Sequence, residues 1–344
     1  MTTIREVAKK AGVSVATVSR VINQNGYVKD STFEKVQEAI KELNYRPSAI
    51  AVSLNNKKTK TIGLILPDIT NPFFPELAKA VEEVANNYGY TMILCNSSGT
   101  VKNEIDQIEL LQSKYVDGII LASDSFVEKD YKDVNLPMVL LDRGANPKNS
   151  SIRVNNFYGG VLATEHLLEQ GCIKIAHLAG PKHVFTGQQR LEGYRSVVES
   201  MKWFDEKLVA YANYQLDDAI TATKELLNKN KGIDGIFAGN DLMAIGCIKA
   251  IHSFGLSVPE DIAVIGFDGI SLTNMIIPEL STIKQPIYEM GKEATNQIIK
   301  EIEGNHKESR DIEFDVTLIQ RESTNRKRRP GLEDGATFKD NGNR

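Results

Sequence analysis

The sequence predicts an α/β protein: an all-α helix-turn-helix headpiece followed by two doubly wound parallel-sheet subdomains. Three observations predict it. Residues 4–23, IREVAKKAGVSVATVSRVIN, hold two short amphipathic helical patterns on either side of a glycine. From Thr61 onward, short apolar runs alternate with amphipathic stretches of helical length, the pattern of parallel βαβ units, and two successive sets of them follow one another. Charge is also divided. Residues 1–60 carry 11 Lys/Arg against 5 Asp/Glu, whereas the rest of the chain carries 30 against 40. A small basic module on a larger acidic body suits a chain that offers only one part to a polyanion.

In the headpiece, Thr3 caps the first helix and Glu6 completes a T-x-x-E capping box. Val7, Ala8 and Ala11 form its apolar face, and Gly12 ends it. Val13 plugs the turn, and Ser14 caps a second helix over 15–22 with Val18, Val21 and Ile22 facing inward. Two helices joined through so short a glycine turn place the second in the DNA major groove, its N-terminal residues towards base edges. After a polar loop, Ser31 and Glu34 predict another capping box for a third helix over 31–43. Its Val36, Ala39, Ile40 and Leu43 would close a three-helix core. Asn44-Tyr45-Arg46-Pro47 breaks that helix. Residues 48–55 are too few to stay helical unsupported and are expected to be disordered alone.

In the body, the apolar runs predict strands over 62–66, 91–95, 118–121 and 138–141, with helices over 74–88 and 103–114. The second set has helices over 158–170, 187–201, 217–228 and 241–254, and strands over 173–178, 235–238 and 262–266. A helix over 287–303 and a strand within 312–319 return the chain to the sheets. Domain limits follow as 1–46 (headpiece), 47–60 (hinge and linker), 61–322 (a core of two subdomains) and 323–344 (a polar, disordered tail). The basic residues 326–329 in that tail read as solvated, nucleic-acid contact being the alternative.

The length of 344 residues allows two or three domains. No apolar run is long enough to span a membrane, and no leader peptide is visible. Cys95, Cys172 and Cys247 sit apart in apolar surroundings, as reduced core residues of a cytoplasmic protein. There is no G-x-G-x-x-G after the first strand and no phosphate loop, so no nucleotide cofactor is expected. The five histidines show no metal-ligand spacing and read as surface or packing residues. With no nucleophile–base pair either, the expectation is no enzyme, no metal and no cofactor.

Ligands of open α/β sheets bind beyond the carboxyl ends of the strands. Here the first strand leads into Pro67-Asp68-Ile69-Thr70-Asn71-Pro72-Phe73-Phe74, and another ends in Asp142-Arg143. Thr186 with Gln189 would cap a helix whose first turn carries Arg190. Two further strands end in Asn240-Asp241 and Phe267-Asp268-Gly269, and Gln285 lies in a crossing segment. Carboxylates, arginines, carboxamides and aromatic rings together suit a small polyol, its hydroxyls held by the polar groups and its C–H faces by the rings. Each residue has a structural alternative. As structural residues, Asn240 would cap a helix, Phe73 and Phe74 would belong to the core, and Arg190 would pair with Glu192 or Asp268.

The run A-x-x-A-G-V-S-x-x-T-V-S-R-V-x-N from Ala8 to Asn23 resembles, almost position for position, the headpiece of the LacI/GalR family of bacterial transcription repressors. That resemblance covers residues 2–322 and implies a sequence-specific, homodimeric repressor of a sugar operon on a palindromic operator. Val15 and Ala16, small and apolar, would meet thymine methyls. Ser14, Thr17, Ser19, Arg20, Asn23 and Tyr45 would hold phosphates or adjacent edges, with Thr3 beside them. Residues 48–55 would form the family's hinge helix, pairing across the minor groove, with Ser48 and Asn55 in contact and Leu54 as the wedge. Val52 departs from the arginine usual there.

Asn71, Phe73, Phe74, Asp142, Arg143, Arg190, Asn240, Asp268 and Gln285 likewise match the ligand positions of periplasmic pentose-binding proteins, whose fold the family's core shares. The match implies a small sugar effector, D-ribose. Another sugar such as fructose, or a phosphocarrier-protein corepressor, remains open within the family, as does a transport-type sugar-binding protein outside it.

Overall fold

The computed structural model describes residues 2–23, 26–45, 58–122, 134–142, 149–304 and 309–326. The expected hinge helix, with Ser48, Leu54 and Asn55, lies outside the described residues, as does Arg143. The chain forms two compact units, Met1–Thr61 with Tyr115–Asp117, and the remainder.

The first unit holds three helices, α1 (Ile4–Ala11), α2 (Val15–Asn23) and α3 (Asp30–Glu42). Thr3 Oγ1 accepts from the Glu6 amide at 3.4 Å, and Glu6 Oε2 accepts from the Thr3 amide at 2.7 Å, a complete capping box. Gly12 ends α1 at φ 65, a left-handed conformation that a side chain would strain. Ser14 Oγ accepts from the Thr17 amide at 3.1 Å and starts α2. Val7, Val18 and Val36, all fully buried, meet at the centre, with Val21 and Ala39 around them. The start of α3 differs from expectation. Lys29 takes the cap position with no side-chain bond, and the helix begins at Asp30, so Ser31 already lies inside it and forms no box with Glu34.

The second unit has two lobes. In the N lobe, β1 (Thr61–Leu66), β2 (Thr91–Asn96), β3 (Gly118–Ala122), β4 (Met138–Leu141), β5 (Ser150–Val154) and β11 (Asp311–Phe314) form one sheet, ordered β11-β5-β4-β3-β1-β2. In the C lobe, β6 (Ile175–Ala179), β7 (Val209–Tyr211), β8 (Gly235–Ala238), β9 (Ala263–Asp268), β10 (Ser281–Lys284) and β12 (Thr317–Ile319) are ordered β12-β10-β9-β8-β6-β7. Strand β12 pairs antiparallel with β10, whereas β3, β4, β5, β8 and β9 pair parallel with their neighbours. Helices α4 (Phe73–Asn87), α5 (Val101–Ser113) and α10 (Ile287–Ile302) belong to the N lobe. Helices α6 (Asn156–Glu169), α7 (Phe185–Val198), α8 (Leu216–Lys229) and α9 (Asp241–Ser253) belong to the C lobe. The chain passes between the lobes after β5, after β10 and between β11 and β12.

Strands β3, β4, β8 and β9 are buried on both faces, which is why they read as unbroken apolar runs. Strands β5, β7 and β10 were not legible. The hydroxyls of β5 and β10 are buried with partners from distant segments. Ser150 Oγ donates to Glu301 at 2.6 Å, and Thr282 Oγ1 donates to Asp241 at 2.6 Å. The single strand expected within 312–319 is instead two, one in each sheet.

The core also runs past residue 322. Ser323 and Thr324 are fully buried, Ser323 Oγ donates to the Val264 carbonyl at 2.6 Å, and His166 Nε2 lies 2.8 Å from Thr324 Oγ1. Arg326 pairs with Asp234 at 3.3 Å and donates to the carbonyls of Glu260 and Asp261. It is therefore a packing residue, neither solvated nor offered to nucleic acid. Among the described residues, no helix is long and apolar enough to cross a membrane.

Candidate effector cleft and DNA-reading helix

Between the two lobes lies a cleft of about 490 Å³. Eight of the nine residues expected to hold the ligand line it: Asn71, Phe73, Phe74, Asp142, Arg190, Asn240, Asp268 and Gln285. The ninth, Arg143, is not described. The parallel topology explains the convergence, because the turns after β1, β4, β8 and β9 all open at the same ends of the two sheets.

Arg190, 4% exposed on α7, is held on every side. Its Nε donates to Asn156 Oδ1 at 2.8 Å, and its Nη1 donates to the Gly239 carbonyl at 2.6 Å and reaches Asp268 Oδ1 at 3.4 Å. The guanidinium lies 3.7 Å from the centre of the Phe267 ring, a cation–π contact. Gln285 Nε2 donates to the same Asp268 oxygen at 2.7 Å. Asn156 in turn donates to Asp142 Oδ1 at 3.3 Å. A polar chain Asp142–Asn156–Arg190–Asp268–Gln285 thus runs from the N lobe into the C lobe. Of the two partners weighed for Arg190, it takes Asp268, while Glu192 accepts from Gln189.

Both cleft aspartates at strand ends have left-handed backbone, Asp142 at φ 54 and Asp268 at φ 109. Such conformations cost on the order of 1–3 kcal/mol and gather at functional sites. Burial pushes both carboxyls above their usual range, although the Arg190 charge pulls them down. A carboxyl raised on folding takes up its proton more readily in the folded state, so its ionisation costs stability at neutral pH, and that cost is relieved as pH falls. Acid should therefore weaken any ligand that donates to these oxygens before it unfolds the core. Titrating ligand affinity and melting temperature together from pH 7.5 to 5 checks this, with affinity expected to fall first.

Asn240 satisfies both of its readings. Its side chain caps α9 by accepting from the Met243 amide at 2.9 Å, and the residue still lines the cleft. Phe73 is buried in the N-lobe core while Phe74 is half-exposed, and their rings meet edge-on at 5.1 Å. Thr186 lines the cleft but forms no capping box with Gln189, because α7 starts earlier, at Phe185. Sequence reasoning does not reach Asn156, which joins Arg190 to Asp142, or Asn213, Tyr214 and Gln215, which line the cleft; His183, expected as a surface or packing residue, lines it too. The strand before Asn213, β7, was itself unrecognised, so the turn after it carried no signal. Asp241, also at a strand end, is structural. It accepts from the amides of Gly269 and Ile270 and from Thr282, and burial pushes its carboxyl up.

On the headpiece, α2 presents Val15, Ala16, Arg20 and Asn23 as exposed residues, with Val15 41% exposed. Thr17 and Ser19 are half-buried, and their hydroxyls bond locally to Ser14 and Asn23. Tyr45 packs its ring against the three-helix core. Thr3 is exposed and engaged in its capping box.

A basic helix-turn-helix unit together with a two-lobed core around a polar cleft defines a ligand-responsive, DNA-binding transcription regulator. Residues 3–48 match the family of bacterial regulatory proteins described as lacI family, and residues 164–324 match the periplasmic binding protein-like domain. The chain is 48% identical over 324 residues to the ribose operon repressor of Halalkalibacterium halodurans, covering 94% of this chain and 97% of that one. The lac repressor dimer bound to operator and an anti-inducer superposes with a TM-score of 0.86 at 28% identity, covering 94% and 99%. A lacI-family regulator from Enterococcus faecium with bound ribose gives 0.69 at 29% identity, covering 76% and 98%. The chain belongs to the lacI family of bacterial regulatory proteins.

Proposed function

We propose that this chain is a homodimeric repressor of a sugar-utilisation operon, released from its palindromic operator by D-ribose bound in the interlobe cleft. The observation that carries the effector is the polar chain from Asp142 to Gln285, in which Asn156, Arg190, Asp268 and Gln285 are buried. Within it, Gln285 Oε1 is buried and has no hydrogen-bond partner among the described residues. A buried acceptor left unmatched costs about 1–3 kcal/mol, and a sugar hydroxyl would satisfy it. Asp142 and Asp268 accept from vicinal hydroxyls, Arg190 and the carboxamides donate, and Phe74 covers a C–H face.

Charge narrows the class further. Asp68, Asp142 and Asp268 line the cleft with Arg190 as the only Lys or Arg among its described lining residues, and counting Arg143 still leaves it net negative. A phosphate would be repelled, so a neutral sugar is favoured over its phosphate ester. The ribose operon repressor at 48% identity and the ribose-bound regulator support ribose among neutral sugars. On DNA, Val15 and Ala16 meet base edges while Ser14, Thr17, Ser19, Arg20, Asn23 and Tyr45 hold the backbone and adjacent edges. Sugar binding closes the cleft and shifts the dimer away from the operator-bound state, acting only through its differential affinity for the two states.

Calorimetric titration with D-ribose, D-fructose and ribose 5-phosphate tests this reading. Micromolar binding of ribose, with operator release in the same range, is the expected result. Binding of fructose or of the phosphate ester without ribose would replace the effector and leave the DNA-binding assignment in place.

A further inference from the structure

Among the described residues, two bonds between side chains join the lobes at the cleft, and they sit at opposite ends of it. Asn156–Asp142 lies beside the crossing that follows β5. The other runs from Gln215 Nε2 in the C lobe to Asp68 Oδ2 in the N lobe at 2.9 Å. Its place follows from topology. The crossings leave from β5, β10, β11 and β12, all on one side of their sheets, whereas Asp68 follows β1 and Gln215 follows β7, on the other side. A hinge motion about the crossings changes this far distance most.

Both ends of the bond are held in place from within their own lobes. Asp68 Oδ1 accepts from the Thr70 amide at 2.9 Å and the Thr70 hydroxyl at 2.6 Å, leaving Oδ2 to Gln215. On the other side, Asn213 donates to Asp218 at 2.8 Å, and Tyr214, at φ 59, lays its phenol against Gly180. A Cβ at Gly180 would come within 2.3 Å of that ring, so only glycine leaves the slot open. Gln215 itself makes no side-chain cap bond to α8, and its side chain is exposed. Neither its helix nor the core depends on it.

We propose that the Asp68–Gln215 bond is a ligand-independent clasp. It biases the resting core towards the closed cleft and so sets the sugar concentration at which the repressor leaves DNA. This rests on the reading of the chain as a repressor released by cleft closure. Apparent sugar affinity scales with the fraction of molecules already closed, and linkage requires that the same bias oppose operator binding. Gln215 is thus a positioning residue for both ligands.

The test compares full-length wild type with Gln215→Ala and Gln215→Glu, the latter setting a second carboxylate against Asp68. For Gln215→Ala, the ribose Kd should rise about two- to tenfold, the equivalent of one ordinary net hydrogen bond. Operator affinity without ribose should rise in the opposite sense. Both effects should be larger for Gln215→Glu, and small-angle scattering of the sugar-free Gln215→Glu protein should show a larger radius of gyration than wild type. A weaker ribose Kd with unchanged sugar-free scattering and operator affinity would make Gln215 a mere sugar contact and overturn the clasp, as would no change at all. If wild type ignores ribose while scattering still separates it from Gln215→Glu, the effector assignment falls and the clasp stands.

Discussion

Asp268→Ala should abolish measurable ribose binding, weakening it at least about 100-fold, and should also cost the core about 3 kcal/mol, the lower end of the penalty for unpairing a buried ion pair. Asp268 accepts from both Arg190 and Gln285, and Arg190 is nine-tenths and more buried. Removing the carboxylate strands a guanidinium between Asn156, Gly239 and the Phe267 ring, and takes away the acceptor for the sugar hydroxyls. Alanine would also inherit a φ of 109, which an aspartate tolerates better. Asp268→Asn separates the two effects. It keeps an oxygen for Arg190 and the size of the side chain, so most of the stability should return while ribose affinity stays depressed by tenfold or so, on the order of one lost charge-assisted bond. Calorimetry and thermal unfolding on both variants give the comparison. Ribose affinity within threefold of wild type in folded Asp268→Ala would remove Asp268 from the site.

Deleting residues 1–60 should leave ribose binding intact and reduce specific operator affinity by about a thousandfold or more, the usual span between specific and non-specific binding. The headpiece buries its own core around Val7, Val18 and Val36, and among the described residues the core clusters of the two lobes contain no headpiece residue. Each part is therefore expected to fold on its own apolar surface. A milder change sharpens the result. Arg20→Ala on the exposed face of α2 should weaken operator binding and lower the slope of log affinity against log salt by about 1, as for one lost phosphate contact. Loss of ribose binding on deletion would mean that the core needs the headpiece. Retained specific operator binding would move the DNA surface elsewhere.

By itself, the sequence determined whatever is carried by local periodicity and by end signals. Helix α1 with its T-x-x-E box, the glycine turn, and the strands buried on both faces were all readable, because neighbouring residues alone set them. The cleft residues were legible for a related reason. In a parallel α/β sheet the residue after a strand must emerge at the ligand end, so strand assignment already located Asp142, Asn240 and Asp268. Lys29 taking the cap of α3 shows the limit even there, since Ser31 and Glu34 offered an equally good local pattern.

Tertiary structure alone decided three things. It decided which polar groups could be buried: β5 and β10 carry serines and threonine whose hydroxyls find hydrogen-bond partners on α9, α10 and the C-terminal turn, partners that no local window contains. It divided 311–319 between two sheets, because the lobes share that segment as a crossing. And it joined Asp142, Asn156, Arg190, Asp268 and Gln285 into one chain, with Gln215 reaching Asp68 on the far side of the cleft. Hydrogen bonds act within about 3 Å, and only the folded backbone brings residues so far apart in sequence to that distance.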